Sequence, residues 1–176
     1  MRRIFAVVGP SGAGKDSLIA GAIEARPGLR LVRRVITRPE AAGGEDFEGV
    51  CEAEFARRHA AGAFALDWPA HGLRYGIPVD QLAGEGDILF NGSRAALPAA
   101  LARFPGLRVV LITAPDAVLA QRLAARARED AADVAGRLAR AGFALPDGVM
   151  ADVVVNDGTL AQGVARLLAV LYPSKG

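Results

Sequence analysis

The sequence holds a single cysteine, Cys51, so no internal disulfide can form. That fits a reducing compartment, and a cytoplasmic location is expected. Neither His59 nor His71 adjoins Cys51 in sequence, which argues against a catalytic thiol. Lysine is nearly absent: of 21 basic residues only Lys15 and Lys175 are lysine. Asparagine occurs only at Asn91 and Asn156. The formal net charge of +2 is too small to argue for nucleic acid. No apolar run approaches the ~18–20 residues of a membrane span. Neither a nucleic-acid nor a membrane partner is therefore expected. The opening MRRIFAVVG has the basic start of a signal peptide. Its apolar run, residues 4–8, is shorter than the ~7–15 residues of such a segment. It leads straight into a glycine-rich loop, so it reads as a buried first strand. There is no internal repeat and no low-complexity linker.

What remains is a globular chain of 176 residues, 52% hydrophobic, long enough for one domain with a real core. Strand-like apolar runs fall at 4–8, 29–36, 87–90, 107–112 and 152–155. Helical periodicity falls between them, at 15–25, 95–103, 116–128, 131–141 and 159–171. Pro115-Asp116 reads as a helix start, and Asp157-Gly158-Thr159 as a turn and cap for the last helix. This alternation predicts an α/β fold with a mostly parallel sheet and helices on both faces. Residues 37–86 break the pattern with clustered glycines, aromatics and charges, as an inserted substrate region would.

The stretch GPSGAGKDS, residues 9–17, is a phosphate-binding loop in which Gly9, Gly14 and Lys15 keep register. Its backbone N–H groups, from Gly9, Ser11, Gly12, Ala13 and Gly14 onward, and the N-terminus of the following helix suit nucleotide phosphates. The residue after the lysine is ordinarily a serine or threonine that holds Mg²⁺; here it is Asp16. Either Asp16 is a helix-start carboxylate and Ser17 takes the metal, or Asp16 itself reaches Mg²⁺, directly or through water. ATP and Mg²⁺ are the cofactors expected.

The order of motifs resembles the guanylate kinase superfamily: VITRP at 35–39, HGLRYG at 71–76 and the arginine-rich QRLAARARED at 121–130 follow the loop. The resemblance implies a guanylate kinase-like P-loop NTPase fold, one kinase domain over 1–176, with a substrate-binding insertion at 34–86 and an arginine-rich lid at 122–141. It also implies that Arg38 and Tyr75 hold the acceptor's phosphate. The guanine-reading positions depart from the superfamily pattern. Its carboxylate falls on Leu66, its hydroxyl on Ile77, its second phosphate arginine on Ala41, its base-contacting serine on Arg34 and a strand-end aspartate on Asn91. A site that loses such polar partners loses its selectivity steeply. The chain is more closely similar to the ribose 1,5-bisphosphate phosphokinase family of phosphonate catabolism. GPSGAGKDSL, ITRPEAAGGED, LDWPAHGLRYG, NGSRAALP, QRLAARARED and NDGTL carry that resemblance from residue 9 to about 160. It implies transfer of the ATP γ-phosphate to the 1-phosphate of ribose 1,5-bisphosphate, giving 5-phosphoribosyl 1-diphosphate.

The roles expected follow from this. Lys15, Arg126 and Arg137 are the catalytic cations. Arg126 shares a helix face with Arg122, and Arg137 lies three residues before Arg140. Arg34 and Arg38, four apart on an extended strand, share a face and bind the acceptor with Tyr75, Asn91, Ser93 and Arg94. Asn156 contacts adenine from a strand-to-helix loop. Trp68 packs the insertion or closes over the sugar, His59 is a surface residue, and His71 is structural or a secondary contact. The sequence admits a homodimer. Two alternatives stay open: a guanylate kinase-type nucleoside monophosphate kinase, and a non-catalytic binding module of the same fold.

Overall fold

The structure is a computed structural model, and it describes residues 1–127 and 143–174. Its frame is a five-stranded parallel sheet in the order β2-β7-β1-β8-β9. The strands are β1 (Ile4–Val8), β2 (Leu29–Leu31), β7 (Asp87–Asn91), β8 (Leu107–Thr113) and β9 (Asp152–Val155). The central strand β1 reads IFAVV because it is covered on both sides. Phe5 and Val7 enter one core, and Ala6 and Val8 the other.

The first core is closed by α1 (Lys15–Ala25), α4 (Asp116–Ala127) and α5 (Leu160–Leu171), through Leu18, Ile19, Ala22, Leu119, Leu167 and Leu171. Helix α5 starts on a capping box in which Thr159 and Gln162 satisfy each other's backbone N–H. The second core is closed by α3 (Leu97–Arg103), with Leu97 and Ala100, and by a second sheet that contributes Leu66, Trp68 and Ile77. Helices thus cover both faces of a parallel sheet, as the alternation predicts.

The second sheet, ordered β4-β3-β6-β5, is formed by β3 (Val35–Ile36), β4 (Glu48–Gly49), β5 (Phe64–Ala70) and β6 (Leu73–Pro78). It corrects the reading of 29–36 as one strand. Val32 still donates its N–H to the Leu89 carbonyl at 2.9 Å. The chain then leaves the parallel sheet, because Arg33 and Arg34 turn to carboxylates in the loop beyond β3: Arg33 to Asp46 at 3.0 Å, and Arg34 to Glu45. Val35 and Ile36 belong to the other sheet, where β6 runs antiparallel to them. The inserted region also contains α2 (Glu52–Ala60), tied to β4 by Arg58, which bridges Glu48 at 2.6 Å and Glu54 at 2.8 Å. Hydrogen bonds from Arg57 and Arg58 hold the Glu54 carboxyl down at about 2. Strand β5 tolerates Pro69 because it is an edge strand. It joins β6 through a two-residue turn, His71 and Gly72, both at positive φ (52° and 74°).

Candidate active site

Strands β1 and β7 lie side by side and parallel, with Val7 opposite Asn91. Their carboxyl ends open on one cavity of about 440 Å³, where ligand sites of open α/β sheets are found. From β1 comes the loop: Gly9, Pro10, Ser11, Gly12, Gly14, Lys15, Asp16 and Ser17 line the cavity. From β7 come Asn91, Gly92, Ser93 and Arg94, and the inserted sheet adds Arg34, His71 and Tyr75. Of the sequence-predicted residues whose side chains are described, all but Ala13, Arg38 and Asn156 line this cavity.

The loop's shape follows from its glycines. Gly14 sits at φ +85°, where a side chain is strained, and a Cβ there would lie 2.6 Å from the Asn156 amide nitrogen. Gly9 passes so close to β8 that a Cβ would lie 2.0 Å from the Ile112 carbonyl oxygen. Gly14 is the N-cap of α1 and no side chain caps the helix, so its first N–H groups are left to an anion. The Lys15 Nζ folds onto the loop, donating to the Gly9 carbonyl at 2.8 Å. Asp16 is exposed at the cavity and accepts from Asn91 Nδ2 at 3.1 Å. The Ser93 hydroxyl is buried and has no partner among the described residues, as expected of a group awaiting a ligand.

Arg34 is the buried cation of the site, with 6% of its surface exposed. Its fork grips Glu45 through Nε (3.1 Å) and Nη2, and its Nη1 donates to the Asn91 carbonyl at 2.6 Å. It lies 4.9 Å from the centre of the Tyr75 ring, which stacks on Trp68 with the planes 7° apart. Arg34 is thus committed to a carboxylate and a carbonyl. Trp68 packs in the core behind Tyr75, 4% exposed, so it does not close over the cavity. Arg38 points elsewhere: its Nη2 donates to the Gly43 carbonyl at 2.9 Å and its guanidinium covers Phe47 at 4.5 Å. The shared face expected for Arg34 and Arg38 is not formed, because the strand between them, β3, spans only Val35 and Ile36 and neither arginine lies in it. Arg94 lines the cavity, over the ring of Phe143 at 4.5 Å. Arg126 sits in α4; its side chain, Arg137 and the stretch 128–141 of the expected lid lie outside the described residues.

The chain is 51% identical over 176 residues to a protein of Ruegeria sp. named ribose 1,5-bisphosphate phosphokinase PhnN, covering 98% of this chain and 93% of that one. The chain belongs to the ribose 1,5-bisphosphate phosphokinase family. It also matches, at 51% identity over 171 residues and 95% of this chain, a bifunctional ribose 1,5-bisphosphokinase-thymidine phosphorylase of Cupriavidus necator, of which it spans 28%. No family model matches the chain. Among solved structures, guanylate kinase from Anaplasma phagocytophilum superposes with a TM-score of 0.69 at 17% identity, over 97% of this chain and 84% of that one. At that identity the likeness is one of fold.

For this kinase family member, the underside of the loop is as telling as its mouth. Asn156 is buried, and its amide donates to the Ala13 carbonyl at 2.8 Å. Arg122 donates to the Gly12 and Ala13 carbonyls at 3.2 and 3.3 Å and to the Asn156 carbonyl at 2.9 Å. These two residues brace the loop from behind and line a second cavity with Ser17, Gly158 and Leu160. Asn156→Ala removes one donor from a buried carbonyl. We expect a loss of about 1–2 kcal/mol in stability and about tenfold weaker nucleotide binding from a less ordered loop. Calorimetric titration checks this, and an unchanged Kd would remove the brace role. Glu45 and the brace by Arg122 are absent from the sequence-derived site. Glu45 had one visible signal: a carboxylate in a glycine-rich loop that follows an arginine pair.

Proposed function

We propose that the chain transfers the γ-phosphoryl group of ATP to the 1-phosphate of ribose 1,5-bisphosphate, giving 5-phosphoribosyl 1-diphosphate and ADP. The observation that carries this reading is the near full-length identity to the Ruegeria protein of that name. The structure of the insertion supports it. Leu66 and Ile77 stand where a guanylate kinase-like site would present a carboxylate and a hydroxyl, and both are buried apolar core residues, 6% and 0% exposed. The cavity wall offers polar groups suited to phosphates instead: Ser93, Arg94, His71 and Tyr75.

One oxygen of the acceptor 1-phosphate forms the new bond to the γ-phosphorus. The bond from that phosphorus to the β–γ bridging oxygen breaks, and ADP leaves with the electron pair. A phosphate monoester has a second pKa near 6, so at pH 7 the nucleophile is already largely dianionic. No base has to remove a proton, and the work of the protein is positioning and charge neutralisation. The loop backbone, the α1 N-terminus and Lys15 hold the ATP phosphates. Arg94, Ser93 and Tyr75 hold the acceptor, with Arg34 fixing Tyr75 and Asn91. Asp16 and Ser17 fit Mg²⁺, a hard cation that takes a carboxylate or two and keeps several waters. When bound, Mg²⁺ neutralises the phosphate charge. The second cavity, beside Arg122 and Asn156, suits the adenine. Residues 34–86 form the acceptor side, and 122–141 the lid with Arg126 and Arg137.

The test is a matched pair of assays with Mg·ATP, one offering ribose 1,5-bisphosphate and one GMP. Turnover of the sugar alone is expected. Turnover of GMP alone would make the chain a nucleoside monophosphate kinase, and silence in both with no affinity for Mg·ATP would make it a binding module.

A further inference from the structure

P-loop NTPases commonly hold Mg²⁺ with two side chains, a Ser or Thr hydroxyl directly after the loop lysine and an aspartate at the end of a neighbouring strand. This chain departs from that pattern at both positions. Asp16 follows Lys15, and β7, the strand paired with β1, ends on Asn91. The two residues are 75 positions apart in sequence, yet Asn91 Nδ2 donates to Asp16 Oδ1 at 3.1 Å.

We propose that these are not two defects but one exchange: the carboxylate has moved from the strand end to the loop, and the neutral partner from the loop to the strand end. The pair as a whole still contains one carboxylate and one neutral polar group. A carboxylate at both positions would put two like charges in contact beside the nucleotide phosphates. A neutral group at both would leave no carboxylate for the cation. The Asn91 amide holds one oxygen of Asp16, which leaves the other for Mg²⁺. Asn91 is itself fixed, because it is buried and its carbonyl accepts from Arg34 Nη1 at 2.6 Å, while Arg34 is gripped by Glu45. Glu45, Arg34, Asn91 and Asp16 therefore form a continuous polar chain from the inserted region to the loop carboxylate. Asn91 is on this account a positioning residue for the metal, and its contact with the acceptor is secondary.

This inference rests on the Mg·ATP reading above, and its test separates the two. ATP affinity is measured by calorimetry with Mg²⁺ and with EDTA for the wild type, Asp16→Ser, Asn91→Asp and the double variant, with melting temperature as a check on folding. The wild type should bind more tightly with Mg²⁺. Asp16→Ser should lose about tenfold of that Mg²⁺-dependent gain, and the near-isosteric Asp16→Asn should do the same. Asn91→Asp should weaken binding in EDTA about tenfold by repulsion, and the double variant should return to within about threefold of wild type in both conditions. If the two single effects simply multiply in the double variant, the exchange is wrong although the nucleotide reading stands. If the wild type gains nothing from Mg²⁺, both fall together.

Discussion

Lys15→Ala is expected to lower kcat by about a thousandfold, the scale on which removal of one charged donor from a phosphoryl-transfer site acts. Melting temperature should change little, because the Lys15 ammonium bonds the Gly9 carbonyl on the rim of a cavity where water can replace it. The composition sharpens the expectation. In a chain whose other described cations are all arginine, one lysine stands at the end of the loop. A guanidinium is planar and forked, whereas an ammonium is a compact point charge that fits beside the Gly9 carbonyl. Lys15→Arg should therefore keep nucleotide binding within about tenfold but recover little of kcat. Recovery of most of the activity by arginine would show that charge alone suffices. Steady-state kinetics on purified variants, with melting curves alongside, measures both.

Glu45→Ala should cost about 3–5 kcal/mol of stability, the range for breaking one side of a buried ion pair. The reason is the burial of both partners, 7% and 10% of their side-chain surface exposed. Alanine would leave the Arg34 guanidinium without its counter-charge between Tyr75 and the Asn91 carbonyl. For a chain of this size the melting temperature should fall by roughly 10 °C. Replacing both partners by well-packed apolar residues, Glu45→Leu with Arg34→Met, should recover most of that stability, since a buried pair stabilises little beyond an apolar substitute. It should not recover turnover, because Asn91 and Tyr75 would have lost what holds them. A stable single Glu45→Ala variant would show that Arg34 finds another partner or reaches water.

The sequence makes the loop, the parallel sheet and the helices around it legible, since each rests on local signals: glycine and lysine spacing at 9–15, apolar runs bounded by turns, and the Thr159 cap. It does not make legible what depends on partners across the chain. The run from Leu29 to Ile36 looks like one strand because apolar periodicity does not register a change of sheet. Only the carboxylates at Glu45 and Asp46, across a turn, explain why Arg33 and Arg34 leave the first sheet. Asn156 is legible as a polar residue at a strand end, but its burial against Ala13, 143 positions away, is not. Arg122 reads as one of several arginines on a helix face, and only the fold turns it toward the loop's carbonyls.

The bracing of the loop also sets an order in time. Residues 9–17 leave the ribosome before the residues that hold the Gly12 and Ala13 carbonyls, Arg122 and Asn156, which come more than 100 positions later. A nascent chain ending before β9 has the whole phosphate-binding motif and an incomplete version of the scaffold behind it. Contacts at such separation close slowly, because the intervening chain must be ordered first. Nucleotide affinity should therefore appear late in synthesis, once the last strand is in place, and not when the motif itself emerges.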